Sequence, residues 1–265
     1  MVIARKSGPW VAIAGLLTMV LAAGGQAEAD GLSLKDQKPA EQTERGVWFG
    51  GYDVVKDATY AFDGVIVALN RDLSKDGWAL RAYGSRVDFD QNPTGDGRGW
   101  QGDVMLGYLF HRRSMDGGIY IGADYQNYRL SPDDPTSHVR GTEWGFKVAG
   151  DITTSDESPL YLSLEGSYST AFNNFWSRAR VGHNRSRLIY GIEGQAFGDE
   201  SFLAQRLGAF LTFQVPLRPG RPPLEITLSG GHQFVRNSNN GDPSDGGSIG
   251  GGEGTYGTIV FSMAF

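Results

Sequence analysis

Four histidines, His111, His138, His183 and His232, are the side chains of this sequence best suited to moving a proton near neutral pH. None stands in a spacing that builds a site. His232 follows Ser229 by three positions, and on a strand an odd separation puts two side chains on opposite faces, a poor nucleophile–base pair. His138 adjoins Ser137 in a Ser/Pro/Asp-rich stretch, while His111 and His183 fall in or next to expected turns. The stretch "DFDQN", with Asp88, Asp90 and Asn92, begins like a calcium loop. The pattern then fails, because Pro93 stands where the sharp turn needs Gly and Gly99 where the closing Glu belongs. With no cysteine, disulfides and thiolate metal sites are excluded. These residues predict a protein that is not an enzyme and carries no cofactor or metal.

The chemistry the spacing does support is non-covalent. Charged and aromatic residues recur at every second position inside apolar runs. "GWQGDVMLGYLF" sets Trp100, Val104, Leu106, Tyr108 and Phe110 on one face against Gln101, Asp103 and Gly107 on the other. "PLYLSLEGSYS" sets Leu160, Leu162, Leu164 and Tyr168 against Tyr161, Ser163, Glu165 and Ser167. Period two over about ten residues is a strand that meets two different environments. About twelve such runs follow one another, at 46–55, 59–69, 77–88, 98–110, 117–129, 140–153, 159–171, 174–183, 187–198, 204–215, 223–235 and 255–265. Most reach the length a tilted strand needs to cross a bilayer, whereas soluble sandwich strands are about half as long. Glycine is abundant, at 39 residues, and aromatic residues make up 12%, a strand-and-turn composition. The mean hydropathy of −0.32 speaks against helical spans but suits a barrel whose alternate residues face a polar lumen. The connections tend to alternate between shorter ones such as "TTSDES" and "HNRS" and longer ones such as "DQNPTGDG", "SPDDPTSH" and the Gly/Ser/Asp stretch around 237–254. The expected fold is a transmembrane antiparallel β-barrel of about twelve strands over residues 46–265.

The N-terminus supports export. Arg5 and Lys6 precede the apolar stretch Trp10 to Ala23, and "AEA" at 27–29 is a small-x-small cleavage site. Residues 1–29 read as a signal peptide and the polar stretch 30–45 as a flexible periplasmic segment. The chain finishes on Phe265, with Ile259, Phe261, Met263 and Phe265 alternating toward lipid in a closing strand, as outer-membrane barrels commonly do. The net charge of −6 argues against nucleic-acid binding. The location this implies is the outer membrane of a Gram-negative bacterium, with lipid as the first partner.

If apolar faces meet lipid, the other faces define the lumen: Asp63, Arg81, Tyr83, Asp103, Asp124, Gln126, Glu143, Lys147, Asp151, Glu165, Arg178, Arg180, Glu193, Gln195, Arg206, Gln214 and Glu225. On or near this face lie Tyr120, Tyr128, Tyr161, Trp176, Phe197 and Phe210, and aromatic faces beside carboxylates and amides suit sugar rings. Mixed charges can equally plug the barrel with cross-strand ion pairs, and twelve strands allow a narrow passage but not a wide one. Both readings stand on these residues alone.

Several stretches together resemble the alphaproteobacterial cellulose biosynthesis protein BcsS family. They are Tyr128-Arg129-Leu130-Ser131-Pro132 with Asp134-Pro135, Gly141-x-Glu143-Trp144-Gly145, and Tyr168-Ser169-Thr170-Ala171-Phe172 with Arg178-Ala179-Arg180. Glu193-x-x-Ala196-Phe197-Gly198 and Arg206-Leu207-Gly208-Ala209-Phe210 complete the set. The resemblance implies an outer-membrane accessory of cellulose synthesis or secretion, with β-1,4-glucan and other secretion proteins as partners. It brings no catalytic residues. Tyr128, Arg129, Glu143, Trp176, Arg178, Arg180, Glu193, Phe197, Arg206 and Phe210 are the candidate lumen or glucan contacts. A general small-solute porin, an outer-membrane lipid-modifying enzyme and a plugged scaffold are the other expectations.

Overall fold

Alternation of the kind just described forces a sheet with one apolar and one polar face, and such a sheet is stable in a membrane when it closes on itself. The computed structural model closes it. Residues 43–91, 95–133, 135, 137–155, 158–185, 187–217, 222–237 and 251–265 are described; residues 1–29 and most of 30–45 lie outside them. The strands are β1 (Gly46–Val55), β2 (Ala58–Ala68), β3 (Gly77–Gln91), β4 (Gly95–Arg112), β5 (Met115–Ser131) and β6 (Gly141–Thr154). They continue as β7 (Leu160–Ser169), β8 (Phe175–Arg185), β9 (Leu188–Gly198), β10 (Phe202–Val215), β11 (Leu224–Asn237) and β12 (Gly254–Ala264). Each pairs antiparallel with its sequence neighbour, and β1 pairs with β12 from Val47↔Ala264 to Val55↔Tyr256. Phe265 and Gly46 exchange backbone hydrogen bonds at that seam, and Arg45 N donates to Phe265 O. We call the end with this seam the near rim and the opposite end the far rim.

The twelve strands match the periodicity of the sequence, with three differences. β3, β4 and β5 run longer than expected, to 15, 18 and 17 residues. The Gly/Asp stretch taken for a loop is largely strand, with Asp90 paired to Asp96 and Gln91 to Gly95. Residue 171 is not strand: Ala171–Asn173 form a 3₁₀ turn, with Phe172 and Asn173 at φ of 51° and 48°.

The outward faces carry the apolar belt. Val104, Ile119, Trp144, Ile192 and Leu207 are each exposed by more than 60%, the inverse of a water-soluble protein. Trp78 and Tyr108 pack edge to face toward the near rim, and Tyr125 and Trp144 do so toward the far rim. Trp100 and Tyr108 lie eight residues apart on β4, roughly 20 Å along the barrel axis at a typical tilt, about the height of a membrane-crossing apolar band. Among the described residues no helix is long and apolar enough to cross a membrane.

Inward aromatic residues fit because glycines face them. A Cβ at Gly107 would lie 2.2 Å from the Tyr120 ring, and one at Gly64 would lie 2.5 Å from the Phe49 ring. Each ring lies across the neighbouring strand at a position no other residue could occupy.

Candidate functional site

The lumen gathers chemistry-bearing side chains, and it is built by register. β10 points Arg206 inward together with Phe202, Ala204 and Phe210. Asp53 of β1 faces it across the lumen. Arg206 Nη1 and Nη2 donate to the two Asp53 carboxylate oxygens at 2.7 and 2.9 Å, and its Nε donates to Gln233 Oε1 at 2.7 Å. Thr258 Oγ1 donates to Asp53 at 2.5 Å. The guanidinium lies between the rings of Phe197 and Tyr256, 4.9 and 4.6 Å from their centroids. A cation held by two-point hydrogen bonds and flanked by aromatic faces is immobile.

A second group adjoins it. Arg180 Nε donates to Glu193 Oε2 at 2.8 Å, and Tyr256 Oη and Gln195 Nε2 donate to Glu193 Oε1 at 2.8 and 3.0 Å. Arg180 also lies over Phe210, 4.8 Å from its centroid. Arg178 Nη2 donates to both oxygens of Glu165, at 2.9 and 2.8 Å, and covers Trp176. On the opposite wall Lys147 Nζ donates to Asp103 Oδ2 at 2.7 Å and stands 3.6 Å from Asp124. Gln126 Nε2 donates to Asp124 at 2.7 Å. Tyr60 and Tyr83 hydrogen-bond below the far rim, and both Arg81 and Lys147 lie over the Tyr83 ring. Gln126, Gln233, Glu193 and Asp124 are fully buried.

Above these ion pairs the far end of the lumen is closed by apolar side chains. Val55, Ala58, Val87, Phe89, Tyr128, Leu130, Val139, Phe172 and Tyr256 form one buried cluster. Phe172 comes from the 3₁₀ turn, which dips into the mouth. Its ring meets Tyr128 edge-on at 5.5 Å, its amide donates to Glu143 Oε2 at 3.3 Å, and Gln126 Nε2 reaches Ala171 O at 3.4 Å.

Nine of the ten candidate residues therefore face the lumen. Tyr128 and Glu143 hold the cap; Trp176, Arg178, Arg180, Glu193, Phe197, Arg206 and Phe210 make the charged and aromatic layer beneath it. Arg129 is a correction. It stands next to inward-facing Tyr128 on β5, so alternation turns it to the outside, where it is exposed. Asp63 is a second correction: β2 sends Tyr60, Phe62 and Ile66 inward and leaves Asp63 outward, between Gly50 and Gly84 of the adjacent strands. Asp53, Ser229, Gln233, Tyr256 and Phe172 were missed. The first four are legible as inward positions of their strands, whereas nothing in the local pattern signals Phe172.

The weak catalytic and metal patterns do not assemble. Ser229 turns inward to Glu193 while His232 is exposed. Asp88 lies on a strand and binds Arg86 and Arg98 rather than heading a loop. Among the described residues no three His, Asp or Glu side chains converge as a metal site.

Closed sheet, apolar belt and a lumen crossed by its own ion pairs define a transmembrane β-barrel. The family model for cellulose biosynthesis protein BcsS matches residues 47–265, so the chain belongs to that family. No curated protein matches it. Two solved barrel structures are similar at low level. CdiB from Acinetobacter baumannii is 8% identical with a TM-score of 0.35, over 84% of this chain and 60% of that one. The low-pH structure of Pseudomonas putida OprB is 8% identical with a TM-score of 0.30, over 84% and 92%. The chain thus spans about 60% of the length of CdiB.

Proposed function

We propose that this protein serves cellulose synthesis as a non-catalytic outer-membrane barrel whose lumen is closed, acting as an anchor or organiser of the secretion apparatus. The near rim, with its seam and basic turns, faces the periplasm. The observation that carries this reading is that lumen side chains pair with one another, ion pairs below and a buried apolar cluster above. A glucan chain would have to displace Arg206 from Asp53 and Phe172 from Tyr128, each leaving buried groups without partners.

A gated conduit is the second reading, and one observation favours it. Phe172 and Asn173 hold left-handed backbone in succession at the cap. Bulky residues rarely adopt that conformation, and such strain gathers at segments that switch. On this reading Trp176, Phe197 and Phe210 would take the sugar faces once the cap lifts.

Deleting the gene and measuring cellulose outside the cell and glucan trapped in the periplasm separates the two. The anchor reading expects cellulose to fall without periplasmic glucan, with the wild-type gene restoring it. Glucan trapped in the periplasm of the deletion strain, and released on complementation, would replace the anchor with the conduit.

A further inference from the structure

The outer wall near the far rim carries a second constellation, turned away from the lumen. β3, β4 and β5 run on past the Tyr125–Trp144 girdle, and their register lines up outward side chains in rows. Arg98 is the direct partner of Asp88 on one side and of Arg129 on the other. Asp88 is already shared: Arg86 Nε and Nη2 donate to it at 2.7 and 2.8 Å, and Arg98 Nε at 2.8 Å. Arg129 has no carboxylate within ion-pair distance among the described residues. Two guanidiniums thus share one carboxylate, and a third, Arg129, faces Arg98 across the next strand pair, a juxtaposition of like charges that destabilises the sheet unless an anion lies between them. Asp90 and Asp96 pair in the next row outward, farther from the apolar belt.

The position says what that anion is. Arg98 follows the girdle residue Trp100 by one alternation, and Arg129 follows Asn127 in the same way. The two arginines and these two residues share an open groove of about 650 Å³ with Tyr125, whose lining also includes Asp88, Asp90 and Asp96. Below the groove Val104 and Trp144 are among the most exposed apolar side chains. A cationic pair at the edge of an aromatic girdle meets the membrane at headgroup level. We propose that Arg98 and Arg129 bind the phosphate of a phosphorylated outer-leaflet lipid, whose acyl chains lie along Val104 and Trp144. Guanidinium forks hold phosphate through paired hydrogen bonds. The inference rests on the outer-membrane location proposed above and not on the role in cellulose synthesis.

The test uses the purified full-length barrel in detergent, its folding verified by heat-modifiable gel mobility. Binding is measured for lipid A carrying its phosphates, for enzymatically dephosphorylated lipid A, and for inorganic phosphate alone. Saturable binding of the phosphorylated lipid is expected, weakened about tenfold or more in Arg98→Gln/Arg129→Gln and weakened less in Arg98→Lys/Arg129→Lys, which keeps the charge but not the paired hydrogen bonds. If the double variant does not fold, Arg129→Gln, which breaks no ion pair among the described residues, carries the same expectation. Equal binding of the dephosphorylated lipid, unchanged binding by the Gln variants, or binding of inorganic phosphate with no preference for the lipid would each overturn the proposal. The assay contains no glucan, so its failure leaves the cellulose reading standing, and failure of the deletion experiment leaves this one standing.

Discussion

Arg206 and Asp53 lie 153 residues apart in sequence and three strands apart in the closed wall, and they meet across the lumen. Removing one partner leaves the other buried without its counter-charge. Arg206→Ala is expected to lower stability by about 3–5 kcal/mol, whereas Asp53→Leu/Arg206→Met should recover most of that loss. Urea unfolding followed by tryptophan fluorescence measures both. Outside the membrane, the turn before β3 makes a pH prediction. The Lys75 ammonium, followed by the Ser74 hydroxyl, holds the Asp72 carboxyl down at about 2. A lowered carboxyl stabilises the turn above the ordinary Asp range and loses that contribution as pH falls toward 2. Protection of the Ser74 amide from exchange should fall over that window in wild type and show no such step in Asp72→Asn. At this scale the sequence was mostly legible, because alternation assigns a face to each residue once one face is known. Arg129 faces outward because its neighbour Tyr128 faces the lumen, a consequence of period two that the Tyr128-Arg129 stretch does not display by itself. Asp63 was misplaced because a charge was expected to avoid lipid. In β2 two aromatic residues claim the lumen, and period two leaves Asp63 no choice.

At the scale of elements, strands were legible and the cap was not. Strand ends follow from alternation, and β1 begins and ends where the pattern places it. β3 to β5 were cut short because Gly, Asp and Asn were taken as loop signals, yet a hairpin that rises above the membrane can alternate polar residues outward and remain paired. The 3₁₀ turn at Ala171–Asn173 depends on contacts with Tyr128, Glu143 and Gln126 from β5 and β6, which no local pattern encodes. Phe172→Ala should therefore destabilise the cap, by about 3 kcal/mol or more for loss of a buried ring. Proteolysis within residues 170–174 of the folded barrel should rise with it; an unchanged rate would mean that the ring does not hold the turn. The belt makes a complementary prediction. Leu106→Arg, outward in the middle of β4, should cost about 2–4 kcal/mol in a bilayer, and folding titrations into lipid vesicles would read it. The same substitution in a soluble barrel would be nearly neutral.

For the whole molecule, family, belt and filled lumen point one way. A barrel of twelve strands is wide enough for a narrow passage, and this one spends that width on ion pairs, stacked rings and a cap. What remains exposed is its wall and its two rims, and these are the surfaces through which a closed barrel can act on the machinery that makes or exports cellulose. The sequence alone left plug and pore open because it assigns residues to a face without saying which of them meet. Register supplies that: Arg206 reaches Asp53 only because β1 closes on β12. The direct test is the conductance of the purified wild-type barrel in a planar bilayer, with insertion verified independently by protease protection. The account predicts no steady conductance step at moderate voltage. A sustained, porin-like open level from the wild-type protein would contradict it.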